Sequence, residues 1–170
     1  LLSRLLLVVL LAWSAAAPAN AAVTIAFYSR EFGSHFPHAF VVLDGTSDAT
    51  GAPVHASYGF TAKAITPAIL FGSVAGEVIE EPPSEAAHST RQFALTLSDA
   101  QYDAVMVVVR QWRDRRQPSY NLNRRNCVHF VAALAEAAGL RVDYPRDLMK
   151  RPRSYLEHIR ALNPRLVVPD

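Results

Sequence analysis

The sequence predicts an α+β domain, with an antiparallel sheet drawn from its first hundred residues packed on helices drawn mainly from the rest. Three observations predict it. Short runs rich in β-branched and aromatic residues, bounded by Gly, Pro, Ser and Asp, recur between residues 23 and 97. Long helical stretches with capping signals begin only at Ser98. No regular strand–helix alternation runs along the chain, so a parallel βαβ sheet is not expected.

The elements follow in order. Residues 23–28 form a short strand, and residues 30–37 a loop. Residues 39–44 are a continuous apolar run suited to a buried strand. A Gly, Thr, Ser and Asp-rich loop spans 45–53, and residues 54–61 return, so 38–61 reads as a long-looped hairpin. Thr66-Pro67 opens a short helix, because Pro suits the first helical position. Residues 74–80 form a strand, 80–89 an acidic loop containing Pro82-Pro83, and 91–97 a further alternating strand. Ser98 and Gln101 make a capping box that opens a helix running to about Asp114. Pro118 breaks the chain. A second helix starts at about Asn126 and stops at Gly139, and a third covers 153–162, ahead of Pro164. No internal repeat or second domain boundary interrupts residues 22–170.

The N-terminus is set apart from this domain. Arg4 precedes an apolar stretch from Leu5 to Trp13, and Ala19-Asn20-Ala21 is a small-x-small cleavage site. The apolar run is shorter than the roughly 20 residues needed to span a bilayer. Residues 1–21 therefore read as a secretory signal peptide, and the mature protein as periplasmic or secreted, without a transmembrane segment.

The chain is 51% hydrophobic and 19% charged, which excludes a disordered polymer. Its net charge of +2 is unevenly spread. Residues 1–100 hold 4 Lys/Arg against 8 Asp/Glu, whereas residues 101–170 hold 13 against 7. The basic half is either a solvated face or a surface attracted to anionic lipid or cell-wall polymer. Aromatics do not interleave with the arginines as in nucleic-acid binding, so no nucleic-acid partner is expected.

Cys127 is the chain's single cysteine, so no internal disulfide forms. In an oxidising compartment a lone thiol is explained by burial, by pairing with another chain, or by catalysis. Asn126 is a good N-cap and puts Cys127 at the first helical position. There the helix dipole and unpaired N–H groups lower a thiol pKa and offer an oxyanion hole. Arg124 and Arg125 add positive potential. Phe130, Val131, Leu134 and Ala138 share the Cys127 side of the helix, which turns that face inward.

A cysteine nucleophile needs a base. Among six histidines, His38 stands at the start of the buried strand, and His55 lies on the return strand of the same hairpin. His88 and His158 read as exposed, and His129 points to a different helix face from Cys127. No two Cys or His residues have a metal-ligand spacing, so no metal is expected. Neither a phosphate-binding glycine loop nor a G-x-S-x-G elbow is present, and no cofactor is expected.

Tyr120-Asn121-Leu122 and Asn126-Cys127-Val128-His129-Phe130-Val131 resemble the Asn-Cys-Glu-His-Phe-Val signature of the lecithin retinol acyltransferase-like proteins, which are circularly permuted relatives of the NlpC cell-wall peptidases. His38-Ala-Phe-Val-Val-Leu-Asp-Gly resembles the family's His-strand-Gly segment, and Val54-His55-Ala its second histidine strand. Val128 departs from the signature's acidic residue. The resemblance implies a papain-like, permuted NlpC-type fold with a triad of Cys127, His38 and His55. A hairpin symmetric about residues 46–51 would instead put Tyr58 or Phe60 opposite His38, with Tyr58 as the rival third residue. The implied activity is an exported thiol hydrolase that cleaves an amide bond, in a cell-wall peptide or similar, through a Cys127 thioester. The alternatives are a lipid-ester acyltransferase or phospholipase, and a non-catalytic binding module that keeps the fold.

Overall fold

The structure, a computed structural model, describes residues 22–31 and 36–165. The signal peptide expected over residues 1–21 lies outside the described residues. Five strands form one antiparallel sheet: β1 (Val23–Arg30), β2 (His38–Thr46), β3 (Pro53–Ala62), β4 (Gly76–Ile79) and β5 (Thr90–Leu97), in spatial order β4-β3-β2-β1-β5. Four α-helices are described: α1 (Pro83–Ala87), α2 (Asp99–Arg113), α3 (Cys127–Ala137) and α4 (Pro152–Leu162). A 3-10 turn spans Pro67–Leu70 in the β3–β4 connection, with Pro67 at its start. The α+β class with an antiparallel sheet is thus observed, and none of the described helices is long and apolar enough to cross a membrane.

Period-two alternation decides what each face of the sheet buries. Ile25, Phe27, Ala39, Val41, Leu43, Phe60, Phe93 and Leu95 point to the helical side, where they meet α3 and α4 in one apolar core. Phe27 stacks on Phe93, and Phe60 packs edge-on to Trp112 of α2. Their neighbours Tyr28 and Phe40 stack on each other on the opposite face.

The helix ends follow the sequence closely. Ser98 and Gln101 close the predicted capping box on α2, and Gly139 takes the positive φ of 87° that ends α3. One stretch differs. The predicted acidic loop at 80–89 contains the short helix α1, started by Pro83. This stretch also has to cross the sheet, because β4 lies at one edge and β5 at the other. It crosses on the face away from α3: the Ser57 hydroxyl donates to the Glu81 carbonyl at 2.6 Å, Glu85 pairs with Arg30 of β1, and α1 packs against β5.

Candidate active site

Three elements converge on Cys127. The first is its own helix. The Asn126 side-chain oxygen accepts from the N–H groups of Val128 (2.9 Å) and His129 (3.2 Å), which fixes the first turn of α3. Its amide nitrogen donates to the carbonyls of Leu122 and Met149, both at 2.8 Å. Asn126 is therefore the helix cap, as expected. Both amide hydrogens are thereby engaged at the helix terminus. The His129 ring closes the capping box and faces Tyr144, away from the thiol.

The second element is the start of β2. The β2–β3 ladder ends at Phe40 opposite Gly59, although both strands run further. The freed end of β2 turns to α3, where the His38 imidazole and the Ala39 N–H act on the Cys127 thiol and favour its ionised form. Cys127 and His38 are each 8% exposed, so this pair sits at the rim of the core.

The third element is the β4–β5 crossover. Glu81 Oε1 lies 2.8 Å from His38 Nε2, and both side chains are buried. Because Nε2 is engaged by the carboxylate, Nδ1 is the ring nitrogen left for the sulfur. Gly59, on the strand between them, makes this contact sterically possible. A Cβ there would overlap Glu81 Oε1 and lie 2.7 Å from His38 Nε2.

The electrostatics follow from this line of three groups. Burial pushes the His38 imidazole down, but its contacts with Cys127 and Glu81 outweigh that and raise it to about 9. Burial pushes the Cys127 thiol up. The His38 hydrogen bond and charge, with the N–H groups of Ala39 and Val128, outweigh it and bring the thiol below its ordinary value. The arrangement favours a thiolate–imidazolium pair. Tyr120 also feels the cysteine: burial and then the Cys127 charge push its phenol up to about 12, so it keeps its proton.

The structure does not bring His55 to this place. It pairs opposite Asp44, with Nδ1 3.1 Å from Oδ1, and both side chains are exposed. His55 is four positions along β3 from Gly59, too far along the sheet to orient His38. Tyr58 is also elsewhere. It pairs opposite Val41 and points to the helical face, where Arg113 lies over its ring. The expected hairpin symmetry is off because the loop between β2 and β3 is only residues 47–52, which sets a different register. Glu81 was missed because it lies outside the hairpin. The available signal was Gly59, an isolated glycine inside a strand pattern, which marks a close approach of another group.

Among the described residues, no three His, Cys, Asp or Glu side chains form a group that could hold a metal ion. No protein-family model matches the sequence, and no curated protein matches it. Among solved structures the chain is similar in fold to a type VI secretion system effector, TseH. The identity is 18%, the TM-score is 0.52, and the match covers 84% of this chain and 90% of that one.

Proposed function

We propose that the protein is an exported thiol hydrolase of papain-like, permuted NlpC-type fold, which cleaves an amide bond through a thioester on Cys127. One observation carries the reading: a buried His38 stands between the Cys127 thiol and the Glu81 carboxylate, as base and orienting group do around a nucleophile. The order of elements supports it too, since the histidine strand precedes the cysteine helix as a permuted chain requires. The likeness in fold to a secretion-system effector supports action outside the producing cytoplasm.

The chemistry is as follows. The Cys127 thiolate attacks the scissile carbonyl carbon. Negative charge develops on the carbonyl oxygen at the helix terminus. The Cys127 N–H is the first-turn donor to meet it, because Asn126 already takes those of Val128 and His129. His38 imidazolium then protonates the departing amine, leaving an acyl thioester. Neutral His38 next takes a proton from water, the hydroxide adds to the thioester, and the thiolate departs with the acid product released. Glu81 is the positioning residue that holds the ring and favours its charged form.

The test is labelling by a thiol-directed electrophilic probe, together with hydrolysis of a cell-wall peptide amide and a phospholipid ester. Cys127→Ala and His38→Ala should each abolish amide turnover and slow labelling. Labelling of His38→Ala at the wild-type rate would remove His38 from the chemistry. Ester cleavage without amide cleavage would transfer the reading to a lipid acyl hydrolase. An inert Cys127 with no turnover of either substrate would favour a binding module.

A further inference from the structure

The β3–β4 connection, residues 63–75, carries large apolar side chains that the described residues leave uncovered. Phe71 is 88% exposed, Leu70 70% and Ile65 60%. They cluster around the Pro67–Leu70 turn, in a segment whose single charged residue is Lys63. Three such side chains within seven residues are more than the scattered exposure expected of a soluble surface.

This tip is fastened to the most basic stretch of the chain. Val74 and Tyr120 exchange backbone hydrogen bonds of 2.9 and 3.0 Å. Asn121 Nδ2 donates to Ser73 Oγ, and the Gln117 side chain brackets the backbone of Gly76. Residues 113–125 hold five arginines and one acidic residue, Asp114. Arg125 is stacked on the Trp112 ring at 3.6 Å and belongs to the fold. Arg113, Arg115, Arg116 and Arg124 are exposed.

We propose that this tip and its basic rim dock the protein on an anionic lipid bilayer, with Ile65, Leu70 and Phe71 entering the headgroup–acyl boundary. The two signals suit each other: apolar area alone gives weak interfacial binding, and basic residues at the rim add attraction to anionic lipid. Charge also chooses the occupant. A second copy of the chain on a two-fold axis would set this basic rim against itself. Anionic headgroups instead match both the apolar tip and the arginines. The proposal does not rest on the chemistry of Cys127.

The experiment uses the full chain, so that every variant shares the same N-terminal segment. Sedimentation with phosphatidylcholine vesicles, with and without phosphatidylglycerol, is compared for wild type, Leu70→Ser/Phe71→Ser and Arg115→Glu/Arg116→Glu. A Phe71→Trp variant with brominated lipid reports where the tip lies. Wild type should prefer the anionic vesicles, and more so at low salt. The serine pair should weaken association about ten-fold or more, the expected effect of removing two interfacial apolar side chains. The glutamate pair should erase the preference for phosphatidylglycerol. The tryptophan introduced at 71 should be quenched beyond the background of the native tryptophans. Unquenched fluorescence at 71, or vesicle association indifferent to the serine pair, would overturn the proposal. A concentration-dependent dimer dissolved by the serine pair would assign the surface to a second copy instead. All the substituted side chains are exposed, so folding is not at issue, and an unchanged Tm serves as the control.

Discussion

Glu81 reaches His38 across Gly59, with 2.8 Å between carboxylate oxygen and imidazole nitrogen, from a strand connection that is not a sequence neighbour of either residue. The contact joins two strands and a crossover at one point. β2 supplies the base, β3 supplies an absence of side chain, and the crossover after β4 supplies the acid.

Glu81→Gln keeps the shape of the side chain and removes its charge. The His38 pKa should fall from about 9, with the larger contribution of Cys127 still holding it up. Histidine NMR titration reads this directly, and a variant that still titrates near 9 would remove Glu81 from the account. Turnover should drop on the order of ten- to a hundred-fold, as for a base left without its orienting partner.

Gly59→Ala should reproduce the loss caused by Glu81→Ala. The added methyl occupies the space of the carboxylate oxygen and crowds Nε2. Because both changes break one contact, the double variant should be little worse than either single one. Full additivity in turnover would mean that Gly59 acts by another route. Fluorescence-monitored urea unfolding of each variant separates lost orientation from lost stability.

His55→Ala and Tyr58→Phe supply the contrast. His55 is an exposed residue paired with exposed Asp44, and such pairs contribute about 0–1 kcal/mol. Removing it should leave both turnover and Tm nearly unchanged. Tyr58→Phe keeps the ring beneath Arg113 and should also preserve activity. A hundred-fold loss from His55→Ala would restore it as the third residue.

The pH profile follows from the two shifts. The thiol lies below its ordinary value, so its thiolate persists to lower pH than that of a free cysteine and is lost on acidification. The imidazole lies above its ordinary value, so its proton is kept at neutral pH and is lost as pH rises through about 9. kcat/KM should therefore be bell-shaped, with its alkaline limb near 9 and its acid limb below the ordinary thiol range. Iodoacetamide labelling should follow the acid limb only. Labelling that instead climbs through pH 8.5 would identify an ordinary buried thiol.

Asn126→Ala should cost about 2 kcal/mol or more in urea unfolding. It removes an N-cap and strands two carbonyls inside the protein. An unchanged midpoint would show that the first turn of α3 stands without its cap. Cys127 reactivity should also fall, because the thiolate depends on that turn's geometry.

Local chemistry made much of this molecule legible in its sequence. The alternation of apolar residues in β2 and β5, the Ser98–Gln101 box and the Gly139 terminus act over a few residues, so their consequences are written in order along the chain. The place of Cys127 at a capped helix start is of the same kind, since Asn126 lies next to it. The juxtaposition of His38 with that thiol was inferable from residue types and motif resemblance, but no local rule imposes it. Glu81 depended on something else. Which carboxylate meets His38 is decided by the hairpin register, by the sheet order that sends the β4–β5 connection across the face, and by the missing side chain at Gly59. A one-residue change of register turns every side chain to the other face. The short loop at 47–52 sets Val41 opposite Tyr58, which sends the tyrosine into the core, and sets His55 beside Asp44 in solvent. Register and crossover arise from packing between segments far apart in the chain, and only the assembled sheet decides them.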